Sequence, residues 1–522
     1  MEITAPAAST PFRLRRFSFA QKILLAAILV ALADHLFFFQ RFGATLGAFA
    51  AALLIALLVA TPAIGRSAPA LASAGAALLF ALVLAEDPSV LAAVLFMAAA
   101  ALAALLPRTR AFDDGWRWIK RLVLHALLAP IAPMLDWMRL RSARRRLGRA
   151  RLAGALPVLA LPILGTALFL ALFSAANPLI ADAFDRVDLF VLAGGISVVR
   201  LCFWVAATLL VWSFLRPPRA RLSPPRQRSG ELVLPGVSTV SVALSLAAFN
   251  AVFALQNGLD IAFLWSGAPL PDGVSLAEYA HRGAYPLIVT ALLAGLFVLV
   301  TLSPGSSTAE SPLVRRLVYA WIAQNLVLVA STMLRTMDYV EAYSLTRLRI
   351  AALVWMALVA IGLVLICVRL WRRKSGAWLI NANLAFALLA LSACTIVDLG
   401  AAAAAWNVRH SREVGGRGVA LDLCYLNRLG PSALLPLIEL ESRPLGPRFR
   451  ERVSWTRNLI MDRLATSQGD WHGWTFRNAR RSAEAKRLVA ERRLPRISAD
   501  VRNCDGRRVV TSSDFDSRRA GM

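Results

Sequence analysis

The chain has 522 residues, 58% hydrophobic and only 17% charged, against roughly 45–50% and about 25% in soluble globular proteins. With a mean hydropathy of +0.60, an aqueous fold is excluded. Collagenous, disulfide-scaffold and disordered classes are excluded too, because 30 Gly, 26 Pro and 5 Cys are ordinary counts and the apolar content is high.

A helix needs about 20 mostly apolar residues to cross the ~30 Å hydrocarbon core, which offers no partner to an unpaired backbone group. Such runs fall at Ile23–Phe39, Gly43–Thr61, Ala68–Ala85, Val90–Leu106, Leu152–Ala175, Leu189–Leu215, Val237–Leu255, Tyr285–Leu302, Leu317–Leu334, Ile350–Val368 and Trp378–Ala404. The expected fold class is all-α, a polytopic bundle of about eleven transmembrane helices followed by a small helical extramembrane domain. Residues 1–215 form a front transmembrane region with a basic interfacial segment at 107–151. A basic, Pro-rich linker at 216–235 leads to a back transmembrane region at 236–404 and a C-terminal domain at 405–522. The first run carries Asp34 and His35 and has no small-residue cleavage site, so it reads as an uncleaved anchor. Trp116–Met138 mixes Arg117, Lys120 and Arg121 with apolar residues, and Pro130 and Pro133 oppose a straight span; it fits a helix lying in the interface, or a short hairpin within the bundle.

Arg and Lys stay on the cytoplasmic side of short connections. Arg13, Arg15, Arg16 and Lys22 precede the first span, and every second connection is Arg-rich, whereas the alternate ones carry Glu86, Asp87, Asp182, Asp272 or Asp338. The amino terminus is therefore expected in the cytoplasm, and an odd span count puts the C-terminal domain on the outer side. Net charge of +27 suits topology and anionic headgroups at about 1 kcal/mol per cation. No nucleic-acid motif accompanies it, so no nucleic-acid partner is expected.

The densest polar chemistry sits in two outer connections. Ser275 and Glu278 form a capping box, with Tyr279, His281 and Arg282 alongside. In the next, Arg335, Asp338 and Glu341 share a helical face, followed by Tyr343 and by Arg347 and Arg349, whose expected partners are Asp338 and Glu341. An interlocked set of salt bridges and caps, and a ligand or catalytic site, both fit these clusters. Within the spans Arg200, Asn250, Gln256, Gln324, Asn325, Asn383 and Asp398 are the polar outliers: the amides read as interhelical glue, and Arg200 and Asp398 as functional candidates. No metal, nucleophile or phosphate-loop signature is present, so neither a metal nor a cofactor is expected. Cys424 and Cys504 both lie in the tail, where an oxidising compartment permits a disulfide.

The residues from Asn250 to Gln256, Trp265, Pro271–Gly273, Ala277–Gly283, Arg335–Arg349, Asn381, Asp398, Asn407 and Leu421–Leu426 resemble bacterial multi-pass membrane proteins classed as domain of unknown function 4173, related to 4153. The resemblance covers approximately Leu189–Leu440, with Ala284 where such proteins often carry an aromatic residue. It implies a prokaryotic inner membrane and supplies no catalytic assignment. The leading reading is a non-enzymatic envelope scaffold or sensing component, contacting the lipid bilayer, anionic headgroups and envelope proteins or polymers. A transporter or channel for a small polar or anionic solute is the alternative, although the two halves show no internal repeat. A membrane enzyme acting on a lipid-linked substrate, with Glu278 or Asp338 as base, is the third.

Overall fold

The computed structural model describes residues 19–109, 114–145, 165–166, 197–217, 238–265, 293, 297, 311–416, 418–497 and 502–508. Among them nine helices are long and apolar enough to cross a membrane, and no strand is present. The chain is an all-α polytopic bundle. It divides into two compact units, one of residues 1–113, 117–222 and 471–475, the other of 114–116, 223–470 and 476–522. The expected spans at 152–175 and 285–302, the 216–235 linker beyond Pro217 and the cluster Glu278, Tyr279, His281 and Arg282 lie outside the described residues, isolated positions aside.

In the first unit α1 (Phe19–Phe37), α2 (Thr45–Ala60), α3 (Ala68–Glu86), α4 (Val90–Leu105) and α7 (Val198–Leu215) form the bundle. Ala70, Ala74, Ala77 and Ala81 are all buried, and their spacing of four, three and four makes one stripe along α3. Small side chains let helix backbones approach closely, which is how helices associate where water supplies no drive. Ser89 and Ser197 start α4 and α7 by accepting the backbone N–H of Ala92 and Arg200. The run Gly115–Met138 is interrupted by a 3-10 turn at Ala129–Ile131, where Pro130 has no N–H to give. It leaves α5 (Gly115–Leu128) and α6 (Ala132–Arg145) as parts of one broken helix, not the two arms of a hairpin. His125 packs on Phe214 while Asp136 accepts from Trp212 Nε1 and pairs with Arg216. His125 and Asp136, on either side of the 3-10 turn, thus both meet the last turn of α7. Trp118, His125, Ala132 and Asp136 are buried, and Val123, Leu127, Ile131, Met134 and Met138 are exposed, so the broken helix has one buried and one exposed face.

Residues 471–475 belong to this unit. The Trp474 carbonyl accepts from Ala44 N at 2.6 Å and the His472 carbonyl from Thr45 Oγ1 at 3.4 Å. A Cβ on Gly43 would collide with the backbone of His472, Gly473 and Trp474, so only glycine permits this approach.

The second unit holds α8 (Thr239–Asp260), α9 (Pro312–Tyr343), α10 (Arg347–Trp371) and α11 (Gly376–Ile396), each opened by a Ser or Thr cap. Phe249, Phe253 and Phe297 surround Trp321 at 5.4–6.0 Å between ring centres. The expected span Trp378–Ala404 stops at Ile396: Asp398 caps a new helix, α12 (Leu399–His410), by accepting from Ala401 N. The C-terminal domain adds α13 (Leu423–Leu429), α14 (Leu434–Glu441), α15 (Pro447–Gly469) and α16 (Phe476–Glu491). Its core joins Leu426, Leu434, Leu437 and Ile438 to Ala404 and Val408 of α12, each large side chain contributing about 1.5–3 kcal/mol. The start of α12 is alanine-rich like membrane sequence, and its Ala404 and Val408 pack on the tail.

Cys424 and Cys504 form a disulfide with Cα atoms 4.8 Å apart. The 502–508 loop is also held by Arg502 and Arg508 on Glu451 and by Arg452 on Asp505. At the domain centre Arg457, 1% exposed, donates to both oxygens of Glu441, which also accepts from Ser454. Arg457→Met alone leaves a buried carboxylate unpaired and is expected to cost about 3–5 kcal/mol in a denaturant or thermal melt, while Arg457→Met with Glu441→Leu recovers most of it.

Candidate functional site

The polar residues of α8 and α9 form one seam. Asn250 donates Nδ2 to the Leu317 carbonyl at 3.0 Å and accepts from Gln324 Nε2 at 2.7 Å. Asn257 donates to the Gln324 carbonyl at 3.1 Å, and Trp265 Nε1 to Ser331 Oγ at 3.1 Å. Partners advance together along both chains, so the two helices run in the same direction with polar positions about seven residues apart, the repeat that keeps one seam in register. Gln256 donates Nε2 to Asp260 Oδ1 at 3.0 Å, and Arg335 pairs with the same carboxylate. Asp260 and Arg335 are 1% and 7% exposed. Arg335 was expected to stack with Asp338 and Glu341; instead it turns into the bundle, where an unpaired charge is costly and Asp260 is the carboxylate within reach. Asp338 and Glu341 stay on the exposed side of α9.

Within the seam Asn257 Oδ1, Asp260 Oδ2, Gln324 Oε1 and Asn325 Oδ1 are buried acceptors lacking a donor. Asn325 otherwise donates to Trp321 O, and Asn383 donates to Leu379 O with its oxygen set against Gly362. In the first unit Arg200 grips both oxygens of Asp34, whose Oδ1 also accepts from Trp204 Nε1 at 2.9 Å. Arg200 thus has its partner on α1.

The second constellation surrounds the turn between α9 and α10. Asn407 of α12 clamps Leu345 on both sides, accepting from its N–H at 2.6 Å and donating to its carbonyl at 2.9 Å. Tyr425 Oη accepts from the Arg347 backbone N–H at 3.1 Å. Arg347 and Arg349 do not pair with Asp338 and Glu341. Arg349 donates to the carbonyls of Tyr343 and Ser344, the unsatisfied negative end of α9, and lies over the Tyr339 ring. Tyr343 packs against Tyr339 with the rings tilted. Arg347 lies across Gly400, where a Cβ would collide with its guanidinium, and reaches Ser432 Oγ at 3.4 Å. Ser432 donates on to Asp398, which Arg481 grips at 2.5 Å. Asp398, which the sequence sets in an apolar run, is the hub of this clamp. Burial alone would raise its pKa, yet the Ala401 N–H, the Arg481 charge and the Ser432 hydroxyl together hold it below the ordinary carboxylate value.

Ser344, with φ 69° and ψ 161°, occupies backbone space that is essentially glycine's. It borders a cleft of about 240 Å³ walled by Val340, Glu341, Trp406, Asn407 and His410. His410 stacks on Trp406 with ring centres 3.9 Å apart. This cleft has an aromatic face, a carboxylate and an imidazole, a set suited to binding. Among the described residues no three or more His, Cys, Asp or Glu gather as a metal site.

Sequence reasoning passed over Asp260, Asn257, Ser432, Arg481, Trp406 and His410. Seven-residue spacing from Asn250 to Asn257, with Asp260 one turn beyond, was the available signal for the seam; nothing local links Arg481 to Asp398.

Over residues 73–440 the chain matches the family described as Domain of unknown function (DUF4153). The chain belongs to that family. The resemblance in the sequence had named it as the relative of a neighbouring family, and the match begins well before Leu189, taking in the front bundle from α3 onward. No curated protein and no solved structure matches the chain. Both constellations fall within the matched stretch, except Arg481.

Two outcomes are expected. Arg335→Gln lowers stability in detergent by about 3–5 kcal/mol, and Asp260→Asn added to it restores part of the loss. Because the folded pKa of Asp398 is depressed, its stabilising effect is complete above about pH 4 and is lost as pH falls through the folded value. Thermal melts on either side of that range lose their difference in Asp398→Asn.

Proposed function

We propose that this is a non-enzymatic component of a bacterial inner membrane, a scaffold or sensor of the envelope whose C-terminal domain stands on the outer side. The observation that carries the reading is that Arg335 and Arg200 are each engaged by a carboxylate, whereas the Glu341–Trp406–His410 cleft is open where the membrane helices meet the extramembrane domain. Sidedness rests on the Arg-rich amino terminus and on the alternation of basic and acidic connections along the chain. The Cys424–Cys504 disulfide fits an oxidising compartment. Envelope polymers, a partner protein and anionic headgroups are the ligands that an Arg-rich outer surface favours.

One observation favours the transport alternative: the four buried acceptors of the α8–α9 seam without donors. They suit water or a donor-bearing solute better than an anion, since unpaired oxygens repel negative charge.

A photo-crosslinking residue at position 410 of the full chain in its membrane is expected to give a discrete adduct that Glu341→Lys abolishes at unchanged protein level. If position 410 labels no more than exposed Arg496, the cleft is not a recognition site. Proteoliposomes passing a solute in a manner that Asn257→Leu blocks would replace the scaffold reading with the transport one.

A further inference from the structure

His125 is the one histidine of the described membrane helices whose ring is buried with neither nitrogen partnered. An imidazole left this way costs free energy, because it has lost water without gaining a hydrogen-bond partner. It forms part of the wall of a large groove in the first unit, of about 790 Å³, built by α4, the end of α7, α5 and the residues Phe42 and Leu46. Ser89, Ser213 and His125 are the polar residues of that wall, and both serine hydroxyls have local roles, Ser89 as a helix cap and Ser213 as donor to Leu210 O.

The groove has direction. Along α4 it runs from Val90 to Ala101, about 16 Å at the helical rise, close to half of the ~30 Å hydrocarbon core. At the His125 end cations gather: Lys22 donates to the Leu215 carbonyl at 2.9 Å, Arg108 to the Pro217 carbonyl at 2.6 Å, and Arg216 pairs with Asp136 at 3.0 Å. Arg108 acts electrostatically on His125, and Lys22 feels Arg108, Arg216 and Asp136. One end is basic and the remainder is apolar. Basic pockets between membrane helices are where lipid phosphates bind.

We propose that this groove holds one anionic phospholipid, an acyl chain lying along α4 and the phosphate at Lys22, Arg108 and Arg216, with His125 donating to the ester or phosphate oxygens that reach it. The occupant is a bilayer lipid because the wall is hydrocarbon-like along α4 from Val90 to Ala101, and an anionic one because of the basic end. The lipid supplies the acceptor that the imidazole lacks.

Native mass spectrometry of the full chain in neutral detergent, titrated with phosphatidylglycerol or phosphatidylcholine, tests this. One phosphatidylglycerol is expected to stay bound under activation that strips phosphatidylcholine. Lys22→Gln and Arg108→Gln each weaken it about fivefold, the order expected for one cation near an anionic headgroup. Met97→Trp, which fills the groove, removes it; Ala98→Phe serves if that variant is not produced. His125→Leu supplies a second readout: the lipid-free protein melts at least as high as the parent, but the rise in melting temperature on adding phosphatidylglycerol is lost. Equal retention of the two lipids overturns the basic headgroup site. Unchanged binding in the groove-filling variant overturns the groove, and an undiminished lipid response in His125→Leu overturns the role of the imidazole.

Discussion

A charge inside a bilayer must find its partner within the protein, because hydrocarbon solvates neither ion nor peptide group. That requirement organises both units. On α1 and α7 it produces Asp34 with Arg200; on α8 and α9 it produces Asp260 with Arg335. Each pair joins helices far apart in sequence, so each fixes which helices are neighbours and at what height they meet. Apolar packing alone specifies less, since lipid tails compete with leucine on nearly equal terms. The alanine stripe of α3 and the Trp321 aromatic cluster fill the space, and the ion pairs set the register.

Around the turn between α9 and α10 the same residue types act differently. Asp398 caps a helix, receives a hydroxyl and is gripped by an arginine, three interactions that together outweigh its burial. Arg347 and Arg349 find a side-chain hydroxyl and helix-end carbonyls. Backbone groups left over at a helix end can take up a cation as well as a carboxylate can, and that is why charge matching by sequence distance mispaired these two arginines.

Most of the membrane fold is legible from hydropathy, because span length is a property of the chain itself. Spans around Ala68–Ala85, Val90–Leu106 and Ile350–Val368 correspond to α3, α4 and α10 within a few residues. Two readings went astray for physical reasons. The run to Ala404 looked continuous because alanine suits lipid, a domain core and helix equally, and only the cap at Asp398 separates α11 from α12. Arg335 lies beyond the apolar run that hydropathy marks, but α9 extends from Pro312 to Tyr343 and Arg335 pairs with Asp260. The clamp at Asp398 was beyond reach, since Arg481 is 83 residues away and such contacts leave no periodic trace.

Ser344 gives the turn between α9 and α10 a mechanical character. A serine does not hold a glycine-like backbone on its own; here Asn407 fixes the next peptide from both sides and Arg349 draws on the Ser344 carbonyl. Restraint comes from outside the turn, so the turn works as a sprung catch. Asn407 also lines the neighbouring cleft, so the side chain that restrains the turn is part of the wall any occupant of that cleft would touch.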